Sequence, residues 1–193
     1  MNIDMNDIYG KLYNNAMTGD KDCGGLLAFN LFSGEPVIGL NEGRPMFARK
    51  PDAKMDLANF MRTHIYASLA TLKIGCDILF KEEKVKVDTL YGHGGLFKTK
   101  GVGQSILAAA MDAPVAVMET AGEGGPWGMA VLAAYMVNKS EGEALEDYLS
   151  GKVFHGKKGT VMQPDPADVK GFDEYIASYK AAIKAQKDMV EAL

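Results

Sequence analysis

Two glycine clusters, Gly92-His93-Gly94-Gly95 and Gly122-Glu123-Gly124-Gly125, each stand between an apolar run of strand length and a helical pattern. Few folds accept strand, glycine turn and helix twice in succession. The links are short, so the two strands are expected to be parallel and joined by a crossover helix. The strands are Val85 to Tyr91 and Pro114 to Met118, and the helices Gly101 to Met111 and Pro126 to Val137, with Pro126 suited to a first helical turn. The backbone amides beside Tyr91 and Thr120 are then expected to converge at one rim of the sheet, where open α/β sheets hold ligands.

Upstream of this pair the pattern differs. A short helix from Asp7 to Met17, capped by Asp4 or Asn6, precedes turn residues Thr18 to Gly25. Gly25 to Leu31, Pro36 to Leu40 and Pro45 to Ala48 read as three short strands with links too tight for helices, hence antiparallel. Asp56 to Phe80 then reads as one long helix, with Ile65, Leu69, Leu72, Cys76 and Leu79 on one face. Downstream, Ser140 to Ser150 predicts a short helix, with Ser140 and Glu143 at capping-box spacing. A hairpin is expected around Lys157-Lys158-Gly159, and Pro166 to Ala192 predicts a final helix that docks through Val169, Phe172, Ile176, Tyr179, Ile183 and Val190. The expected whole is a single α/β domain over residues 1–193. Its sheet is mixed, with an antiparallel section followed by parallel βα units and helices on both faces, and residues 151–193 form a tail and helix packed on it.

Composition narrows the function. The 193 residues carry 21 Lys+Arg against 25 Asp+Glu, a net charge of −4, which argues against nucleic acid or an anionic membrane as the main partner. The longest apolar stretch, Met129 to Val137, is about half of the ~20 residues a spanning helix needs. Cys23 and Cys76 provide neither a disulfide framework nor paired zinc spacing, so a reducing, cytoplasmic setting is expected.

Glycine turns that open helices let backbone N–H groups approach an anionic ligand, whereas the plain reading of each is a tight βα turn. Gly92 to Thr99 nearly fits the phosphate-loop pattern, but Phe97 stands where glycine is required, and Phe97 and Trp127 break the dinucleotide pattern in the two clusters. His64, His93 and His155 share no ligand spacing. His64 reads as a hydrogen-bonded packing residue, His93 as a turn residue within reach of a ligand, and Glu35 and Arg44 as a surface ion pair.

In order, several stretches resemble the C-terminal lobe of the FGGY carbohydrate kinases. They are Gly24-Gly25-Leu26-Leu27 to Ser33-Gly34-Glu35, the helix Arg62 to Leu79, Gly92-His93-Gly94-Gly95, Gln104 to Val115, Glu123 to Ala130, and the tail around Pro164-Asp165-Pro166. The resemblance implies a ribonuclease H-like, actin/hexokinase-type ATPase lobe. Its adenosine site would use Gly92, Gly94 and Gly95 along the nucleotide and Glu123, Gly124 and Gly128 on the adenine side. It further implies ATP with Mg2+ and a sugar acceptor, of pentulose type, bound mainly by an N-terminal lobe. Lys98 is a candidate phosphate contact. The family's catalytic aspartate and second phosphate loop lie upstream of the matching segments, so the chain alone is expected to be inactive, with a homodimer covering exposed apolar surface. A non-catalytic α/β interaction or small-ligand-binding module is the competing reading.

Overall fold

In a computed structural model, residues 4–119, 121–155 and 159–193 are described. The elements are α1 Met5–Ala16, β1 Leu26–Phe29, β2 Met46–Arg49, α2 Leu57–Asp77, β3 Leu90–Tyr91, α3 Val102–Met111, β4 Val115–Met118, α4 Gly124–Asn138, α5 Leu145–Tyr148, β5 Gly159–Met162 and α6 Pro166–Ala192. Side-chain caps start three of the helices: the Asp4, Asp56 and Asp165 carboxylates accept N–H groups in the first turns of α1, α2 and α6.

Strand pairing among the described residues produces two sheets, not the single mixed sheet expected. β1 and β2 pair antiparallel, Leu26 opposite Arg49, while β3, β4 and β5 form a second sheet with β3–β4 parallel and β4–β5 antiparallel. The expected strand Val85 to Tyr91 shrinks to its last two residues. Leu90 and Gly92 donate to the Pro114 and Ala116 carbonyls, while Val85 to Asp88 run largely exposed. Pro36 to Leu40 is not a strand either. Pro36–Ile38 is a 3-10 turn, capped by the Glu35 carboxylate on the Val37 N–H (3.3 Å), and Glu35 and Leu40 exchange backbone hydrogen bonds across it. That use of Glu35 removes the expected ion pair, and Arg44 binds Glu42 instead at 3.2 Å.

The long helix buries Ile65 and Leu69 of the face its apolar spacing suggested, with Tyr66, Ala67 and Ala70 beside them, but not the whole of that face. Leu72 and Leu79 are about half exposed, at 47% and 49%, while Asn59, Arg62, Thr63, Lys73 and Asp77 are buried. Apolar periodicity cannot register a buried polar stripe, and this one is stable because its members are partnered. Asn59 Oδ1 accepts the Asp20 N–H at 2.7 Å, Thr63 donates to the Leu26 carbonyl, and Lys73 lies 3.0 Å from Asp77. Burial alone would raise the Asp77 pKa, but Lys73, Lys81 and Lys180 around it bring it below the usual carboxylate range. His64 is a packing residue, as expected. Its Nδ1 lies 3.1 Å from Asn30 Oδ1 beside the Phe47 and Phe60 rings, and burial depresses its pKa.

The core gathers Phe29, Tyr66, Ile106, Val115, Phe172, Tyr175 and Tyr179 between α2, α3, α6 and the strands. α6 follows the expected stripe, with Phe172, Ile176 and Tyr179 buried. It adds Gln186, fully buried, whose amide accepts the Arg44 N–H (3.2 Å) and donates to the Arg44 carbonyl (2.7 Å), clipping the 30–45 loop to the helix. Gly171 lets α6 cross the 18–25 turn, because a Cβ there would lie 2.3 Å from the Lys21 carbonyl oxygen. Gly-to-Ala changes inside helices normally stabilise by about 1 kcal/mol. Gly171→Ala is expected to reverse that sign and cost about 1–3 kcal/mol, since backbone must move. An unchanged or higher thermal midpoint would contradict the close crossing.

The Ser140 to Ser150 helix begins later than expected. The Ser140 N–H donates to the Glu143 carboxylate at 2.8 Å and the Glu143 N–H to the Ser140 carbonyl, which closes a turn through Gly142 at φ 77°. α5 then starts at Leu145 and runs into a π turn, Leu149–Val153. Of the expected hairpin, Lys157 and Lys158 lie outside the described residues, and Gly159 begins β5, which pairs with β4. No helix among the described residues is long and apolar enough to cross a membrane.

Candidate functional site

Parallel pairing of β3 with β4 brings the segments that leave them side by side. After Tyr91 the chain runs through Gly92, His93 and Gly94 into a 3-10 turn, Gly95–Phe97, and reaches α3 through Gly101. After β4 it enters the 3-10 turn Ala121–Glu123 and then α4. A hydrogen bond joins the two, from the Gly94 N–H to the Ala121 carbonyl at 2.7 Å. Thr120 lies outside the described residues, and its neighbour Ala121 carries the contact.

Glycine is required at specific points here. Gly94 has φ 106° and ψ −176°, a conformation closed to residues with a Cβ. Gly124 lies against His93, where an added Cβ would come within 2.7 Å of the His93 Cβ. The Lys98 alkyl chain covers Gly122 in the same way. Gly92 is covered by the Phe97 ring, 2.4 Å from where its Cβ would be. Phe97 thus packs its ring on the first glycine of the turn.

Of the six candidate residues, Gly92, Gly94 and Gly95 form the first turn, and Glu123 ends the second. The second cluster was expected as a loop, but Gly124 and Gly125 already belong to the first turn of α4, which continues directly from the 3-10 turn. Gly128 stands one helical turn further on, facing open space, and does not meet the other five. His64 lies elsewhere, beside Phe47 and Phe60, and His93 lines the larger cleft beside the joined turns.

Two clefts flank the joined turns. The larger, about 690 Å³, lies on the open face of the second sheet, between Tyr91, Ala116, Met118 and Val161 and the α5–π-turn residues Leu149 and Phe154. The smaller, about 400 Å³, is mixed in polarity and lies on the α3 side, with Lys98, Thr99, Lys100, Gln104, Glu119 and Thr160. Both include Met118 and Gly159, so they adjoin across the ends of β4 and β5. Gln104 fixes this corner. Its amide donates to the Val115 and Thr160 carbonyls, both at 2.8 Å, and accepts from the Thr160 hydroxyl. The far wall is held by Phe154 against Trp127, ring centroids 5.5 Å apart, and by Tyr148 against Tyr135. Sequence reasoning missed this wall. The alternation Val115-Ala116-Val117-Met118 hints at a two-faced strand, but only the tertiary fold shows which face stays open.

Two helix-opening glycine turns are thus joined at the ends of neighbouring parallel strands of an α/β domain. The comparisons name a family. The profile of the FGGY family of carbohydrate kinases, C-terminal domain, matches residues 4–137, and the chain belongs to that family. The fold is similar to that of xylulose kinase from Rhodospirillum rubrum, with a TM-score of 0.68 at 16% identity over 94% of this chain and 34% of that one. Gluconate kinase from Lactobacillus acidophilus is similar at TM-score 0.67 and 17% identity, over 92% and 35% of the two chains. Plasmodium falciparum glycerol kinase, solved with ADP, is similar at 0.63 and 16%, over 91% and 33%. The chain spans about a third of the length of these solved proteins. No curated protein sequence matches it.

Proposed function

We propose that this chain is the ATP-binding lobe of a carbohydrate kinase that moves the ATP γ-phosphate to a sugar hydroxyl, a pentulose being the acceptor class put forward. The observation that carries the reading is the hydrogen bond between Gly94 and Ala121, which joins two glycine turns at the ends of neighbouring parallel strands. Gly92, Gly94 and Gly95 would line the nucleotide, Glu123 and Gly124 would border it from the α4 side with Gly128 one turn beyond, and the Lys98 amine would face phosphate. A ribonuclease H-like arrangement is part of the same reading. It is supported by the chain order of β3, α3, β4 and α4, and the separate β1–β2 sheet departs from a single continuous one.

The residues fit a nucleotide. At Gly94 and Gly95 open space stands where a side chain would be, and an apolar cleft adjoins a lysine-lined one. Mg2+ would be held by the phosphate oxygens and water, as this ion commonly is. Among the described residues no group of three His, Cys, Asp or Glu is placed to hold a metal. Phosphoryl transfer also needs a positioned acceptor hydroxyl and its base, which this reading assigns to a second lobe. The chain by itself is therefore expected to bind ATP without sugar-dependent turnover, and the exposed face of α4 supports self-association when no second lobe covers it.

A thermal melt of the full chain with MgATP tests the reading. Nucleotide at a hundred times its Kd adds about 2.7 kcal/mol to stability. For a chain of this size that raises the midpoint by about 2–4 °C per kcal/mol. No rise at millimolar MgATP overturns the proposal.

A further inference from the structure

We infer that two copies of this chain pair through the free edge of β3, their Val85–Tyr91 segments adding to each other antiparallel about a two-fold axis at Val87. β3 is the outermost strand of the second sheet. Leu90 and Gly92 donate inward, to the Pro114 and Ala116 carbonyls, and backbone direction alternates along a strand, so Thr89 and Tyr91 turn their N–H groups outward. Among the described residues neither the Val87 nor the Thr89 N–H has a backbone acceptor. Val85 and Tyr91 are 48% and 65% exposed, so this edge is open to solvent. The sequence nonetheless alternates as a strand does, with Val85, Val87, Thr89 and Tyr91 in one set and Lys84, Lys86 and Asp88 in the other. A segment with strand chemistry and no strand beside most of its length is a template for a strand from another chain.

The charges select both the occupant and the register. Lysines on an edge normally repel a second strand. Here Asp88 stands two residues from Lys86, which makes the segment complementary to an inverted copy of itself. In a two-fold pair, residue i of one copy faces residue j of the other and the reverse. An axis at Lys86 or at Asp88 would set like charges directly opposite, and an axis at Val85 would set Lys84 against Lys86. An axis at Thr89 would leave Asp88 against Leu90 and Lys86 against Gly92. At Val87 each Lys86 faces Asp88 of the second copy, and each Val85 faces Thr89, a β-branched pair. Val87 also belongs to the set that turns its backbone outward, so the two copies exchange both N–H to carbonyl bonds there. Among the described residues no ion pair engages Lys86 or Asp88 within the chain, so both charges remain to be matched. The single chain bends at Asp88, and the added strand would straighten it. Val85 and Val87 border a cleft with Phe80 and Met111, so pairing sets the valines of the second copy beside that apolar wall.

Sedimentation equilibrium of the full chain tests this. A monomer–dimer equilibrium is expected at chain concentrations up to about 1 mM, since so small an interface is weak. Lys86→Glu and Asp88→Lys should each raise the dimer Kd about ten-fold, because two attractive pairs become repulsive. The double variant, with both charges exchanged, should return it to the starting value. Val87→Pro should abolish the dimer, as it removes a central donor that serves no hydrogen bond within the single chain. A monomer at every concentration, a Kd indifferent to both charge reversals, or a double variant no tighter than the single ones overturns the inference. So does a dimer that is lost in Met136→Glu and kept in Val87→Pro, which would move the contact to the apolar face of α4.

Discussion

Arg62→Met is expected to lower the unfolding free energy by about 3 kcal/mol, the lower end of the cost of removing one member of a buried ion pair. Arg62 is fully buried in α2. It donates to the Tyr66 hydroxyl from Nε and Nη2 (3.1 and 2.8 Å), to the Ala16 carbonyl from Nη1, and to the Asp168 carboxylate. Tyr66 in turn donates to the Lys21 carbonyl at 3.1 Å, so one guanidinium links α1, the 18–25 turn, α2 and α6. Met fills much of the volume but leaves the Ala16 carbonyl and the Asp168 carboxylate short of donors. Lys21, 2.7 Å from Asp168 with its side chain 45% exposed, keeps that carboxylate partly paired, which is why the lower end applies. Lys21→Met should cost about 1 kcal/mol or less, as partly exposed pairs do. Urea unfolding decides the matter: equal losses for the two variants would show that Arg62 is not the central member.

Gly94→Ala is expected to abolish the thermal response to MgATP while leaving the chain folded. The φ of 106° with ψ −176° is confined to glycine, and holding another residue there costs about 1–3 kcal/mol. The cheaper outcome is a loop that swings away, which breaks the bond to Ala121 and parts the two turns. Because nothing lies within 4 Å of the added Cβ, the effect comes from backbone conformation and not from a clash, so the core should be spared. A melt with the starting midpoint and an undiminished nucleotide shift would remove Gly94 from the site.

The parts legible in the sequence are those set by local chemistry. α6 runs from Pro166 to Ala192 as expected because Asp165 caps it, Pro166 suits its first turn and an apolar stripe repeats along it. The glycine turn and helix after Tyr91, and the strand at Val115–Met118, were legible for the same reason. Non-local choices were not. Whether Val85 to Tyr91 finds a partner along its length depends on a neighbour distant in the chain, and it finds one for two residues only. Buried polar residues such as Asn59, Arg62 and Gln186 carry no apolar signal, and each is buried because a backbone group far along the chain receives it. The cleft escaped notice likewise, since Tyr91 and Phe154 meet only after β5 and α5 fold over the sheet.

α4 turns an uncharged surface to solvent. Its fifteen residues carry no charged side chain and no fully buried one, and Met129, Met136 and Val137 stand 69%, 78% and 82% in water. Two such surfaces meeting face no coulombic barrier, and the gain from excluding water grows on warming near room temperature. Stickiness of this origin would respond to temperature and hardly to dilute salt, so cold handling, more than buffer strength, would keep the chains apart.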